Sequence, residues 1–213
     1  MVQGFNFEAI KSIGKIIGNR SLLIPHLEFK DVRSIDFQRL KQMGFSAVLF
    51  DKDNTLTEPY ADVIYEPFRE AVDRCRGVFG EQSIAILSNS AGSSDDVDFR
   101  EATRLESTLG LSVLKHGTKK PNGIEKVKEH FHTDNLQSIV MIGDRYSTDV
   151  VFGNLYGMLT IFTKPITSKG DNNIVKLIRD KESRYVDYCK NYYEPPKHSL
   201  FDKDRYNKSS ASS

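Results

Sequence analysis

Asp51-Lys52-Asp53-Asn54-Thr55 follows directly on the apolar run Ala47–Phe50. Two carboxylates two residues apart at the end of a buried strand can face one crevice. One can attack phosphorus and form an acyl phosphate. The other can protonate the leaving oxygen and then activate water, work typically worth ~10²–10⁴-fold. The tripeptide alone says little, because Asp202-Lys203-Asp204 repeats it in a polar stretch with no apolar run before it and no Asn-Thr after it. That second copy reads as chance, so the weight falls on what surrounds the first.

Three further segments could handle phosphate. Ser88-Asn89-Ser90-Ala91-Gly92 offers a hydroxyl and small residues with free backbone N–H groups, suited to a phosphoryl oxygen. His116-Gly117-Thr118-Lys119-Lys120-Pro121 carries a lysine that can neutralise both a nucleophile and a phosphate. Lys120 is preferred over Lys119 because it adjoins Pro121, which suits the first position of a helix. His116 either touches substrate or caps a strand. Gly143-Asp144-Arg145-Tyr146-Ser147-Thr148-Asp149 adds acidic groups. Asp144 and Asp51 together make a divalent-cation site of the oxygen-only kind that magnesium prefers. Crowding Asp51, Asp53 and Asp144 with no cation would be strongly repulsive. Asp149 either orients this shell, directly or through water, or joins Thr148 in capping the next helix.

The elements that must position these groups alternate. Apolar runs predict strands over 47–50, 83–87, 111–114, 138–142 and 158–162. Periodic stretches predict helices over 66–78, 97–109, 122–132, 148–156 and 173–189. Continuously apolar strands separated by helices predict an α/β fold, a Rossmann-like, doubly wound parallel sheet covered on both faces. Ligands of such sheets bind beyond the carboxyl ends of the strands, and all four polar segments fall there. Residues 21–45 read as a connection containing one helix that Gly44 stops.

The whole chain is of ordinary composition. It has 213 residues, 38% hydrophobic and 28% charged, with a net charge of +1 that argues against nucleic acid as a partner. Cys75 and Cys189 are far apart and fit no metal-ligand spacing. No apolar run approaches the ~18–20 residues that span a bilayer. Residues 1–20 form an amphipathic basic segment, with Phe7, Ile10, Ile13, Ile16 and Ile17 at helical spacing among Lys11, Lys15 and Arg20. It could lie on an anionic membrane, target the chain, or pack on the main domain over 21–190. Residues 191–213 read as a flexible polar tail with a Pro-Pro breaker.

The segments "DKDNT", "SNS", "KKP" and "GDRYSTD" together resemble the four motifs of the haloacid dehalogenase (HAD) superfamily of aspartate-nucleophile phosphatases, subfamily IIIA. The resemblance implies Asp51 as nucleophile, Asp53 as acid/base and Lys120 as the charge-stabilising group. It implies magnesium held by Asp51, Asp144 and the backbone carbonyl of Asp53, with Asp149 and Arg145 behind them. It also implies Ser88, with Asn89, Ser90, Thr55, Lys119 and His116 around it, at the phosphate. From Ser21 to Thr163 the chain is more closely similar to the mitochondrial phosphatidylglycerophosphate phosphatases. That likeness implies a phospholipid substrate on the cardiolipin route, peripheral attachment to the matrix side of the mitochondrial inner membrane, and room for a homo-oligomer. The gaps between motifs leave no space for a cap domain, which suits a phosphate displayed on a surface. The alternatives are a phosphatase of a soluble sugar-acid or nucleic-acid phosphate, and a receiver-like module, which would lack an acid at Asp53.

Overall fold

A computed structural model describes residues 18–117, 119–120, 123–167 and 173–208. Six strands form one sheet: β1 (Leu27–Phe29), β2 (Ala47–Phe50), β3 (Ile84–Ile86), β4 (Ser112–Val113), β5 (Ile139–Gly143) and β6 (Leu159–Thr163). Their order is β1-β6-β5-β2-β3-β4, and every pairing is parallel. The helices are α1 (Phe37–Gln42), α2 (Arg69–Phe79), α3 (Arg100–Leu109), α4 (Ile124–Phe131), α5 (Val151–Leu155), α6 (Asn173–Lys190) and α7 (Lys203–Lys208).

Every residue of β2, β5 and β6 is buried. Alternate side chains serve opposite faces, as the strand pleat requires. Val48 and Phe50 pack with α1, α2 and α3, whereas Ala47 and Leu49 pack with Val127 of α4 and Phe152 of α5. A third cluster holds Tyr146, Phe162 and Leu23 against Val186 and Cys189 of α6. The chain moves outward from β2 to β3 and β4, then returns to β5 on the other side of β2. The switch between β2 and β5 opens a crevice at their carboxyl ends. A loop, two 3-10 turns and α2 connect β2 to β3, and a loop, one 3-10 turn and α3 connect β3 to β4. Among the described residues no inserted cap domain covers the crevice.

Two expectations need correction. The stretch 21–45 is more than a connection, because Leu27–Phe29 forms an edge strand on β6. It is three residues long with a glutamate at its centre, so it carries no continuous apolar signal. The tail is not a free arm as far as residue 208. Leu200 and Phe201 pack against the core and Tyr206 is buried. Arg39 lies over the Tyr206 ring at 4.9 Å, and the His198 and Phe201 rings meet His26 at 5.4 and 5.9 Å. A few spaced rings hold this segment despite its polar composition. The second Asp-Lys-Asp has a local use: Asp202 Oδ1 accepts from Arg205 N at 2.8 Å and caps α7. The amphipathic segment up to residue 17, the last serines and Pro121 lie outside the described residues. α4 begins at Ile124 behind Gly123.

Candidate active site

β2 delivers Asp51 to the crevice. Asp51 N donates to Ile142 O at 2.8 Å, which carries the sheet ladder one residue past the strand. The chain then turns tightly, with Lys52 O accepting from Thr55, Leu56 and Thr57 N. Asn54 makes the turn possible by adopting a φ of 65°. The two aspartates part here. Asp51 enters a buried charge cluster. Asp53 is one-third exposed, accepts from Tyr60 N at 2.9 Å and pairs with Lys52 Nζ at 2.7 Å. Lys52 is itself buried and also donates to Ala61 O at 3.0 Å. Thr55 is buried with no hydrogen-bond partner for its Oγ1 among the described residues.

The loop after β4 supplies the cation. Lys120 Nζ donates to Asp51 Oδ1 at 2.6 Å and to Asp149 Oδ1 at 2.5 Å, fully buried. Lys119 turns the other way, to Asp95 at 2.6 Å. Asn89 fixes the difference, because its Oδ1 accepts from Lys120 N at 2.8 Å. Ser88 Oγ lies 3.0 Å from Ser90 Oγ and accepts from Ser90 N at 3.2 Å. His116 Nε2 donates to Ser88 O at 2.8 Å, so it ties one loop to the next. Gly92 lets the two loops touch. A Cβ there would stand 2.2 Å from Leu114 O.

β5 and the turn after it supply the remaining acids. Residues Tyr146–Val150 form one π-helical turn in which Asp149 N and Val150 N both donate to Arg145 O. Such turns are rare and cluster at functional sites. Asp149 Oδ2 accepts from Arg145 N at 3.0 Å. This packs Asp149 onto Gly143 so closely that a Cβ at Gly143 would meet Asp149 Oδ2 at 2.3 Å. Asp144 Oδ2 accepts from Arg179 Nη1 of α6 at 2.5 Å. Arg145 Nε sits 3.8 Å from Glu182, also on α6. Sequence reasoning missed Arg179 and Glu182, which look like two charges among many on an amphipathic helix. It assigned Asp149 an orienting place, and the structure sets it in direct contact with Lys120.

Asp51, Asp144 and Asp149 each offer an oxygen within 4.8 Å of the others, and all three residues are buried. Burial pushes the Asp51 carboxyl up to about 8. Lys120 pulls against this, and Asp149 and Asp144 add to it. Burial likewise pushes Asp144 up to about 6, opposed by Arg179 and reinforced by Asp149. Lys120, despite its burial, is held protonated by Asp149 and Asp51. The 2.6 Å contact between Lys120 and Asp51 has the geometry of an ammonium donating to a carboxylate. Asp144 Oδ1 is buried with no hydrogen-bond partner among the described residues. Three crowded carboxylates and an unpartnered buried oxygen are compatible with a metal ion, which would lower the cost of keeping all three ionised.

The chain was compared with known proteins. The family described as mitochondrial PGP phosphatase matches residues 7–167. Phosphatidylglycerophosphate phosphatase 1, chloroplastic/mitochondrial, of Arabidopsis thaliana is 41% identical over 202 residues, 93% of this chain and 58% of that protein. The chloroplastic protein of the same name from Chlamydomonas reinhardtii is 39% identical over 93% of this chain and 74% of its own length. Phosphatidylglycerophosphatase GEP4, mitochondrial, of Saccharomyces cerevisiae is 32% identical over 57% of this chain and 68% of its own. This chain thus spans little more than half the length of the Arabidopsis relative. The family match covers the Asp51, Ser88, Lys120 and Asp144 loops, and by that match the chain belongs to the mitochondrial PGP phosphatase family.

Proposed function

We propose that this chain is a magnesium-dependent phosphomonoesterase that converts phosphatidylglycerophosphate to phosphatidylglycerol at the matrix face of the mitochondrial inner membrane. The observation that carries the chemistry is Lys120 bonded to both Asp51 and Asp149 in a buried cluster beside Asp144. The substrate and location rest on the names of the relatives. Peripheral attachment is consistent with the helices, none of which among the described residues is long and apolar enough to cross a membrane.

Asp51 attacks the terminal phosphorus as the bond to the glycerol oxygen breaks, leaving an aspartyl phosphate. Asp53 gives its proton to that oxygen, then removes one from the water that cleaves the acyl phosphate. Lys120 keeps Asp51 anionic and faces the phosphoryl charge. Ser88 Oγ and the backbone N–H groups of Asn89 and Ala91 hold phosphoryl oxygens, those of Ser90 and Gly92 being bonded to Ser88 Oγ and Asp96. Asp51, Asp144 and the Asp53 carbonyl would hold magnesium, with Asp149 and Arg145 supporting them. The ion supplies charge neutralisation between the nucleophile and an anionic ester.

The test is phosphate release from the lipid, with and without magnesium, in the wild type and in Asp51→Asn. We expect turnover only with the metal, and a loss of at least ~10³-fold in the variant, the scale seen when a nucleophile is removed. Preserved turnover in Asp51→Asn would sink the nucleophile assignment. Equal turnover of a short sugar phosphate would instead favour a soluble substrate.

A further inference from the structure

A cleft of about 830 Å³ opens beside the catalytic crevice, with Asp144 in its wall. β1 and β6 form one side and α6 the other. Phe29 and Phe162 line the sheet side, and Tyr146, stacked on Phe162 at 4.0 Å, extends it. Two cations stand at its rim, Lys30 and Lys164. They follow directly on β1 and β6, whose last residues Phe29 and Thr163 are register partners, and Lys164 N donates to Phe29 O. The topology therefore sets the two lysines side by side at the carboxyl end of the sheet.

These lysines differ from the other cations of the cleft. Arg179 is bonded to Asp144 and Lys190 to Glu28. Lys30 and Lys164 are exposed and end in no ion pair among the described residues. The loop that bears Lys164 is tied to the catalytic turn. Ile166 N donates to Asn54 O at 3.2 Å, and Thr167 N donates to Asn54 Oδ1 at 3.1 Å. Asn54 lies between Asp53 and Thr55. The helix wall carries Asp180, Glu182 and Asp187, and its two cations, Arg179 and Lys190, are bonded to Asp144 and Glu28, so an anion would sit beside Lys30 and Lys164 on the sheet side. A polyol could donate its hydroxyls toward the helix side.

We infer that Lys30 and Lys164 form a second anion subsite, which takes the phosphodiester of a substrate whose terminal phosphomonoester lies at Asp51. This deepens the function proposed above and rests on it. The two phosphates of that substrate are separated by one glycerol, a small polar linker that suits a cleft whose two exposed lysines stand at the sheet edge and whose other cations are already bonded to carboxylates. Asn54 is then a positioning residue that holds the subsite in register with the nucleophile.

The experiment compares wild type with Lys30→Glu/Lys164→Glu on three magnesium-supplemented substrates: the lipid in vesicles, its deacylated water-soluble form carrying both phosphates, and glycerol 3-phosphate. The deacylated compound separates the subsite from general attraction to an anionic surface. We expect its KM to rise at least ~10-fold with kcat held, the scale of lost charge-assisted hydrogen bonds. The monoester, which has no second phosphate, serves as the control and should change less than about twofold. An unchanged KM for the deacylated compound overturns the subsite, even if vesicle turnover falls. An equal loss on the monoester overturns it too, by pointing to general damage. Failure of the wild type to hydrolyse either two-phosphate substrate overturns the proposed function itself, a different result from wild-type turnover that the variant matches.

Discussion

At the scale of single residues, Gly143 controls the site without touching a reacting atom. The Asp149 carboxylate occupies the space a side chain would fill, with atoms at 2.3–2.5 Å from the position of a Cβ. Gly143→Ala must push Asp149 away from Lys120. We expect kcat to fall ~10²-fold, the scale of an ångström of misplacement, with a stability loss of about 1–3 kcal/mol from overpacking. Turnover and thermal denaturation measured side by side check both. Normal turnover would show that Asp149 does not need its present seat. That Asp51, Asp144 and Lys120 come together could be read from the chain because each follows an apolar strand and lies in a segment of unusual composition, whereas Asp53 turns to Lys52 and Tyr60 N. Arg179 could not. It reaches Asp144 from a helix 35 residues downstream, and nothing in its neighbours separates it from the other charges of α6.

At the scale of elements, β2 to β6 were legible as largely apolar runs, whereas β1 was hidden by its length and its Glu28. A buried histidine just before β1 adds to its pairing with β6. His26 Nδ1 accepts from Thr160 N at 3.1 Å, so Nε2 carries the proton and donates to Pro196 O at 2.9 Å. Burial, with His198 beside it, drives His26 down to about 4 from an ordinary 6.5. The fold therefore prefers the neutral ring. Its contribution is fully present above pH 6.5, where the unfolded chain is also neutral. It is lost as the pH falls from 6.5 to about 4, because the unfolded chain takes up a proton that the folded chain refuses. The expected loss is about 3 kcal/mol. Urea denaturation across that window should show the slope, and His26→Gln should flatten it. An unchanged slope in the variant would assign the effect to another group.

At the scale of the whole molecule, the absence of a cap was legible from motif spacing, because neither gap leaves room for more than a helix. The packing of the last segment was not, because four separated residues, His198, Leu200, Phe201 and Tyr206, hold it in an otherwise polar stretch. Metal linkage also belongs to this scale. A cation that binds only the folded chain adds about 2.7 kcal/mol at 100 times its Kd, about 5–10 °C for a domain of this size. Scanning calorimetry with magnesium against a chelator should show that shift, and Asp144→Asn should remove it. A shift of equal size in the variant would place the ion elsewhere.

The last segment has one more consequence. It closes over His26, Phe45 and Arg39, which precede or underlie the starts of β1 and β2. The aspartates leave the opposite ends of the strands. Among the described residues the molecule thus has a sealed base and an open crown. A tether attached on α7 departs from the base, so a chain immobilised there on a bead or sensor presents its chemistry outward.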